Sequence, residues 1–139
     1  MIQENKEILI KDLCARLPYG VKVLFENEVF SIDYISAVYE EIKLDIPDNY
    51  NILDISNVKP YLFPLSSMTR EQLFDVQEII GKNEIEIEDG FIHIINSDRN
   101  TITYLEILAV FEWFYKNHFD IYGLIPMGLA IDATNLNIY

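Results

Sequence analysis

The chain has 139 residues, half of them hydrophobic, and 23 acidic residues against 10 basic ones give it a formal net charge of −13. This length and composition fit one folded domain with its own hydrophobic core and exclude a disordered chain. Nucleic-acid backbones and anionic membrane surfaces are bound through clustered Lys and Arg, so the acidic balance predicts neither direct nucleic-acid binding nor membrane binding.

The first predicted element is a helix over about residues 4–16. Its apolar positions repeat at helical spacing: Ile10, Leu13, Cys14 and Leu17. Because Cys14 lies in the middle of this stripe, we expect a buried small hydrophobe rather than a reactive thiol. The segment mixes both charge signs and lacks a signal-peptide pattern, and a lone cysteine cannot form an internal disulfide, so we expect a cytoplasmic protein.

Apolar and β-branched runs over about residues 21–56 predict a three- or four-stranded antiparallel meander. The runs cover residues 21–25, 29–38 and 52–55, and polar or turn-forming residues separate them. The next segment, VKPYLFPLSSMT, contains Pro60 and Pro64, which hold the backbone extended and remove two hydrogen-bond donors. We interpret this segment as a connection.

A second helix is predicted over about residues 69–80. Thr69 and Gln72 have the spacing of a capping box, and Glu71 lies in the first turn, where the helix dipole favours an acid. Gly81 is suited to end the helix.

The segment EIEIEDGFIHII predicts a β-hairpin over about residues 84–95, with Asp89-Gly90 as a two-residue turn. This turn places the isoleucines on one face and sets Glu86 opposite His93 on the other. A carboxylate beside an imidazole suits a surface ion pair, half of a metal site or an acid–base pair. The chain has two histidines and one cysteine, too few for a typical zinc site, so we expect no metal and no cofactor.

A third helix is predicted over about residues 101–118, with Thr103 and Glu106 as a possible capping pair. Its predicted core stripe consists of Tyr104, Ile107, Leu108, Phe111, Phe114, Tyr115 and His118. Trp113 projects to nearly the opposite side, so the helix needs cover on two faces. Either the apolar tail over residues 123–139 or a partner covers Trp113. We expect His118 to be a residue favoured by the dipole at the helix C-terminus rather than a catalyst.

Taken together, these elements predict a single α+β domain over residues 1–139: an antiparallel β-meander plus a β-hairpin, with about three helices covering one face of the sheet. The sequence does not decide whether the meander and the hairpin share one sheet. It contains no phosphate-binding loop, EF-hand, zinc-ligand motif or nucleophile elbow.

Three strings in the chain are long and compositionally unusual: KDLCARLPYGVKV from Lys11, VKPYLFPLSSMT from Val58, and WFYKNHFDIYGLIPMGLAIDATNLNIY from Trp113. They resemble a family of small proteins found in gut bacteria of the Bacteroides type and in their phages or integrated elements. The resemblance covers roughly a third to a half of the chain. It implies no activity and no catalytic residue, and it suggests a mobile-element accessory protein that binds a host or phage component.

The leading functional hypothesis is a non-enzymatic accessory protein that binds another protein through an acidic and aromatic surface. Its candidate contact residues are Trp113, Tyr115, His118, Phe119, Tyr122, Glu84, Glu86, Glu88 and His93. One alternative is a ligand-binding module or enzyme with a pocket near the C-terminal tail, using His93 or His118. Another is an acidic inhibitor that mimics nucleic acid. A homo-oligomer remains open in each case.

Overall fold

The computed structural model describes residues 1–47, 52–81, 84–95 and 102–139. Three α-helices run through the chain: α1 Gln3–Arg16, α2 Arg70–Ile79 and α3 Tyr104–Lys116. Eight strands accompany them: β1 Lys22–Phe25, β2 Glu28–Ser36, β3 Glu41–Leu44, β4 Leu53–Asp54, β5 Lys59–Leu62, β6 Glu84–Glu88, β7 Phe91–Ile95 and β8 Ile131–Asp132. The predicted α+β class is confirmed, and no described helix has the length and apolarity needed to cross a membrane.

Six of the strands form one sheet in the order β4-β3-β2-β1-β5-β8. The first four make the predicted antiparallel meander, while β6 and β7 form a separate two-stranded sheet. β5 pairs antiparallel with β1 and β8 pairs parallel with β5. The interpretation of VKPYLFPLSSMT as a connection was therefore wrong for residues 59–62, where the extended backbone imposed by Pro60 suits a strand and three consecutive residues are buried.

The first hydrophobic core lies between α1 and the six-stranded sheet. The prediction that Cys14 is buried was wrong, because its side chain is exposed. The buried face of α1 is shifted by one position and consists of Leu9, Ile10, Asp12, Leu13 and Arg16. Arg16 donates Nε–H and Nη2–H bonds of 2.8 Å to the two carboxylate oxygens of Asp12, so two charges are buried together where the pattern predicts apolar residues.

The second hydrophobic core is formed by α2, α3 and the hairpin, with Val76, Ile80, Ile85, Val110 and Phe114 among its buried members. Both helices begin with a complete capping box, as predicted at Thr69–Gln72 and Thr103–Glu106. The hairpin has the predicted register in full, with both turn residues at positive φ as a type I′ turn requires.

The orientation of α3 differs from the prediction. Val110 and Phe114 face the core, whereas most of the predicted core stripe is exposed to solvent. Trp113 is half-buried because its ring stacks on Phe119 with centroids 5.7 Å apart. A residue of the chain itself, Phe119, therefore covers Trp113. The tail, which was the predicted cover, instead packs its Leu124 in the first core.

The way in which α3 ends explains why Phe119 covers Trp113. His118 follows α3 in the left-handed region at φ 59°, and its N–H donates to the carbonyl of Tyr115. The next N–H, of Phe119, donates back to the carbonyl of Phe114 at 3.0 Å. These two bonds form a Schellman motif, which turns the chain back and lays the Phe119 ring on Trp113.

Candidate functional site

The most unusual surface of the described chain is the outward side of α3. Five large apolar residues are exposed there, and we call them the α3 apolar face: Tyr104, Leu105, Ile107, Leu108 and Phe111. At about 100° per residue Tyr104, Leu105 and Leu108 lie roughly opposite Val110, which points into the core, and Ile107 and Phe111 lie between that side and the core. Apart from Leu105, they belong to the stripe predicted as core, so that prediction was wrong for these four residues and right for Phe114 and His118. The sequence does carry the signal, since a helix that is apolar on both sides cannot bury both against one layer.

Most of the predicted aromatic contact residues have structural roles instead. Phe119 is fully buried in the second core, and Trp113 packs against it. The Tyr115 ring lies under the Arg16 guanidinium at 5.2 Å, and burial, together with a hydrogen bond to Tyr122, raises the pKa of Tyr115. Of these four aromatic residues, Tyr122 alone has an exposed side chain.

His118 is buried, with 8% of its surface exposed. Its ring stacks on Tyr139 at a centroid distance of 3.8 Å, and its Nδ1 atom has no hydrogen-bond partner among the described residues. Burial, and then the positive charge of Arg16, lower the pKa of His118 to about 4. The prediction of a cation favoured by the helix dipole was therefore wrong, because desolvation keeps this imidazole neutral near pH 7.

A cleft of about 470 Å³ lies beside His118, near the C-terminal tail. Several of its polar lining groups are already engaged in local structure: Thr69 and Gln72 form the capping box of α2, and Ser67 donates to the carbonyl of Pro64. Asn117 likewise donates to the carbonyl of Trp113. This cleft lies near the tail, where the alternative hypothesis places a pocket, and four of its polar lining residues are engaged in local structure.

Glu86 and Glu88 lie on the face of the hairpin that points away from the second core. Glu86 and His93 are cross-strand neighbours as predicted, and both are exposed. The described residues form no hydrogen bond or ion pair between these two side chains, so the predicted ion pair is not made. Glu88 is exposed opposite Phe91. Glu84 pairs with Ile95 at the other end of the ribbon, and its side chain lies outside the described part of the structure.

A second cleft, of about 710 Å³, runs along β6, and we call it the β6 cleft. One wall is Leu65, Ser66, Met68 and Leu73, and the other is Ile85, Glu86, Ile87, Glu88, Asp89 and Gly90. No group of three or more His, Cys, Asp or Glu side chains within residues 1–47, 52–81, 84–95 and 102–139 is arranged to hold a metal ion.

Several acidic side chains serve the fold itself. Asp12 pairs with Arg16, Asp33 lies 2.6 Å from the Lys43 ammonium, and Asp54 lies 2.8 Å from the Lys6 ammonium. Asp120 accepts 2.8 Å bonds from two backbone N–H groups of the tail.

Comparison with protein-family models, with curated proteins and with solved structures found no match to this chain.

Proposed function

We propose that this chain is a non-enzymatic protein-binding protein, and that it docks a partner protein on the α3 apolar face. The observation that carries the proposal is the exposure of five large apolar side chains on one helix face, with Leu105 exposed by 75%. Scattered exposed apolar residues are normal on protein surfaces, but a contiguous apolar patch is typical of an interaction site.

The expected energetic contribution of this face is substantial. Fully burying a leucine or phenylalanine side chain stabilises a complex by about 1.5–3 kcal/mol before the costs of association. Large apolar anchors at the centre of an interface dominate binding energies, and Leu105 and Tyr104 are the most exposed members of the face.

The charge of the chain favours a basic partner. A formal net charge of −13 accelerates encounter with a cationic surface and repels an acidic one. The same charge disfavours a second copy of this chain, because two such molecules repel each other. The partner surface that fits is therefore apolar at its centre and rich in Lys and Arg at its rim.

The chemistry near His118 supports binding rather than catalysis. A general base needs a ring nitrogen that reaches its substrate, and of the two ring nitrogens of His118 the Nδ1 atom is buried. With a pKa of about 4, this histidine is neutral over the range in which enzymes usually use imidazole to exchange protons.

A photo-cross-linking amino acid at position 105 tests the proposal in the organism from which the chain comes. Tyr39 is the matched control position, because it is 74% exposed and lies in the turn between β2 and β3, on a different element. We expect one discrete adduct with a basic protein from position 105 and no such adduct from position 39.

A second variant checks that the adduct depends on the apolar face. Leu108→Glu places a charge on the exposed side of α3 without touching the core, and it should abolish the adduct from position 105. No adduct at position 105, or the same products from both positions, contradicts the proposal. An adduct of this chain with itself would show that the α3 apolar face binds a second copy rather than a basic partner.

A further inference from the structure

The hairpin leaves one strand edge beside a cleft. β6 and β7 pair only with each other, so each has an unpaired long edge in the described structure. Every hairpin residue that lines the β6 cleft belongs to β6 or to the turn, and none belongs to β7. The cleft therefore follows the free edge of β6. An unpaired strand edge presents backbone N–H and C=O groups that a further strand can bind.

The hairpin register identifies which groups point into the cleft. In a hairpin with a two-residue turn, the residues that flank the turn, Glu88 and Phe91, form a hydrogen-bonded pair, and hydrogen-bonded pairs then alternate with unbonded ones. Glu86 and His93 form the next bonded pair. Ile87 falls in an unbonded pair, so its N–H and C=O point outward along the free edge.

The side chains that line the β6 cleft are apolar on one side and acidic on the other. Leu65, Met68 and Leu73 provide an apolar wall facing the edge. Ile87 is half-buried on the core side of the ribbon, while Glu86 and Glu88 point to the other side and are exposed. The described lining contains three acids and no Lys, Arg or His.

We propose that the β6 cleft binds an extended segment of a partner protein in which basic and apolar residues alternate, by adding that segment as a third strand to β6. An apolar residue of the segment pairs with Ile87 and lies on the side of the apolar wall. Its two neighbours then lie on the other side, opposite Glu86 and Glu88, where Lys or Arg forms cross-strand ion pairs. This surface differs from the α3 apolar face, so either proposal can fail without the other.

A second copy of β6 is a poorer occupant of the same edge. If two β6 strands paired antiparallel through Ile87, Glu86 of one copy would face Glu88 of the other. Like charges directly opposite each other destabilise a strand pair, and each edge would bring two such contacts. The acids on β6 thus favour a basic strand and oppose self-association at this edge.

Peptide probes test the main-chain part of the proposal on the unmodified protein. The probe is a fluorescein-labelled peptide with four Lys-Val repeats, measured by fluorescence anisotropy at low ionic strength. One control has N-methylated valines, which lack the N–H donors, and another has four lysines followed by four valines. We expect both controls, which keep the charge, to bind about tenfold more weakly, because strand pairing contributes two or more hydrogen bonds.

Protein variants test the location. Ile87→Pro removes an outward N–H on β6, and Ile92→Pro removes the equivalent outward N–H on β7; both sites are half-buried. Of these two proline variants, only Ile87→Pro should weaken binding of the Lys-Val peptide. The double change Glu86→Gln and Glu88→Gln should also weaken it, whereas Glu4→Gln with Glu7→Gln on α1 removes the same charge and should have little effect.

Several results would overturn the inference. Equal affinity for all three peptides would mean general attraction of cations to an acidic protein, and no binding of the Lys-Val peptide would exclude strand addition outright. Equal losses in the two proline variants would place the site away from the β6 edge. The peptide comparison uses unmodified protein, so it decides the matter even if a proline variant does not fold.

Discussion

Helix α1 of the first core and helix α3 of the second core differ in how they use charge and apolar surface. α1 buries an ion pair in the first core and turns Cys14 to solvent, whereas α3 buries Val110 and Phe114 and leaves five large apolar side chains exposed. On the buried face of α1 the Asp12 carboxylate accepts two bonds from Arg16, whose Nη1 atom has no hydrogen-bond partner among the described residues. In the proposed function, the exposed side of α3 is the surface on which the partner docks.

The largest expected effect lies in the first core. Arg16→Ala should lower the free energy of unfolding by about 3–5 kcal/mol, because it leaves the Asp12 carboxylate buried without its partner. Urea denaturation measures the change. The exposed pair Lys43–Asp33 is the control, and Lys43→Ala should cost less than about 1 kcal/mol. Similar losses in both variants would contradict the assigned importance of the buried pair.

A leucine comparison between the two helices tests the contrast most directly. Leu13→Ala in α1 removes a fully buried side chain and should cost about 2–5 kcal/mol. Leu105→Ala in α3 removes an exposed one, and the free energy of unfolding should change by no more than about 0.5 kcal/mol. A large loss in Leu105→Ala would mean that the α3 apolar face is already covered within the molecule.

The pH dependence of stability should report on His118 at the end of α3. Its pKa is lowered to about 4 in the folded protein from an ordinary value of 6.5, so the unfolded chain binds the proton more readily between these values. The stability from the neutral imidazole is therefore complete above pH 6.5 and falls as pH drops through that window, by on the order of 3 kcal/mol.

The measurement for this prediction is the slope of the unfolding free energy between pH 6.5 and 4, compared with that of His118→Gln. The variant should lose the His118 contribution, so its slope should be shallower. An unchanged slope in His118→Gln would show that this imidazole is not desolvated.

The smallest expected effects concern the helix caps of the second core. Thr69→Ala and Thr103→Ala each remove a hydroxyl that accepts an N–H at 3.2 Å, and each should cost about 1 kcal/mol. Thermal unfolding followed by circular dichroism measures both losses. Serine at either position keeps the oxygen and should retain most of the stability. A neutral Thr103→Ala would indicate that α3 is held by its buried face alone.

Local signals in the sequence were sufficient for the hairpin and for both capping boxes. Each depends on residues only a few positions apart, so Asp89-Gly90 and Thr103–Glu106 determine their geometry without help from the rest of the chain. The meander could also be predicted, because its strands follow one another along the chain.

The errors arose where distant residues decide the structure. The buried face of α1 includes Arg16, which donates to the Phe119 carbonyl at 2.6 Å, a contact 103 positions along the chain that no local pattern shows. On α3, apolar residues occupy both sides, so periodicity alone cannot choose the buried one. β5 becomes a strand because β1 and β8 pair with its two edges.

The Tyr139 hydroxyl adds a consequence for how the six-stranded sheet assembles. It accepts from the Lys22 N–H at 3.1 Å and donates to the Tyr61 carbonyl at 2.7 Å. In the β1–β5 register Lys22 is opposite Tyr61. The Tyr139 hydroxyl therefore bridges these two backbone groups in place of a direct backbone hydrogen bond between the strands. The bond from Lys22 to Tyr139 joins residues that are 117 positions apart in the chain. Because this contact closes a loop of 117 residues, we expect the β1–β5 pair to be completed late in folding.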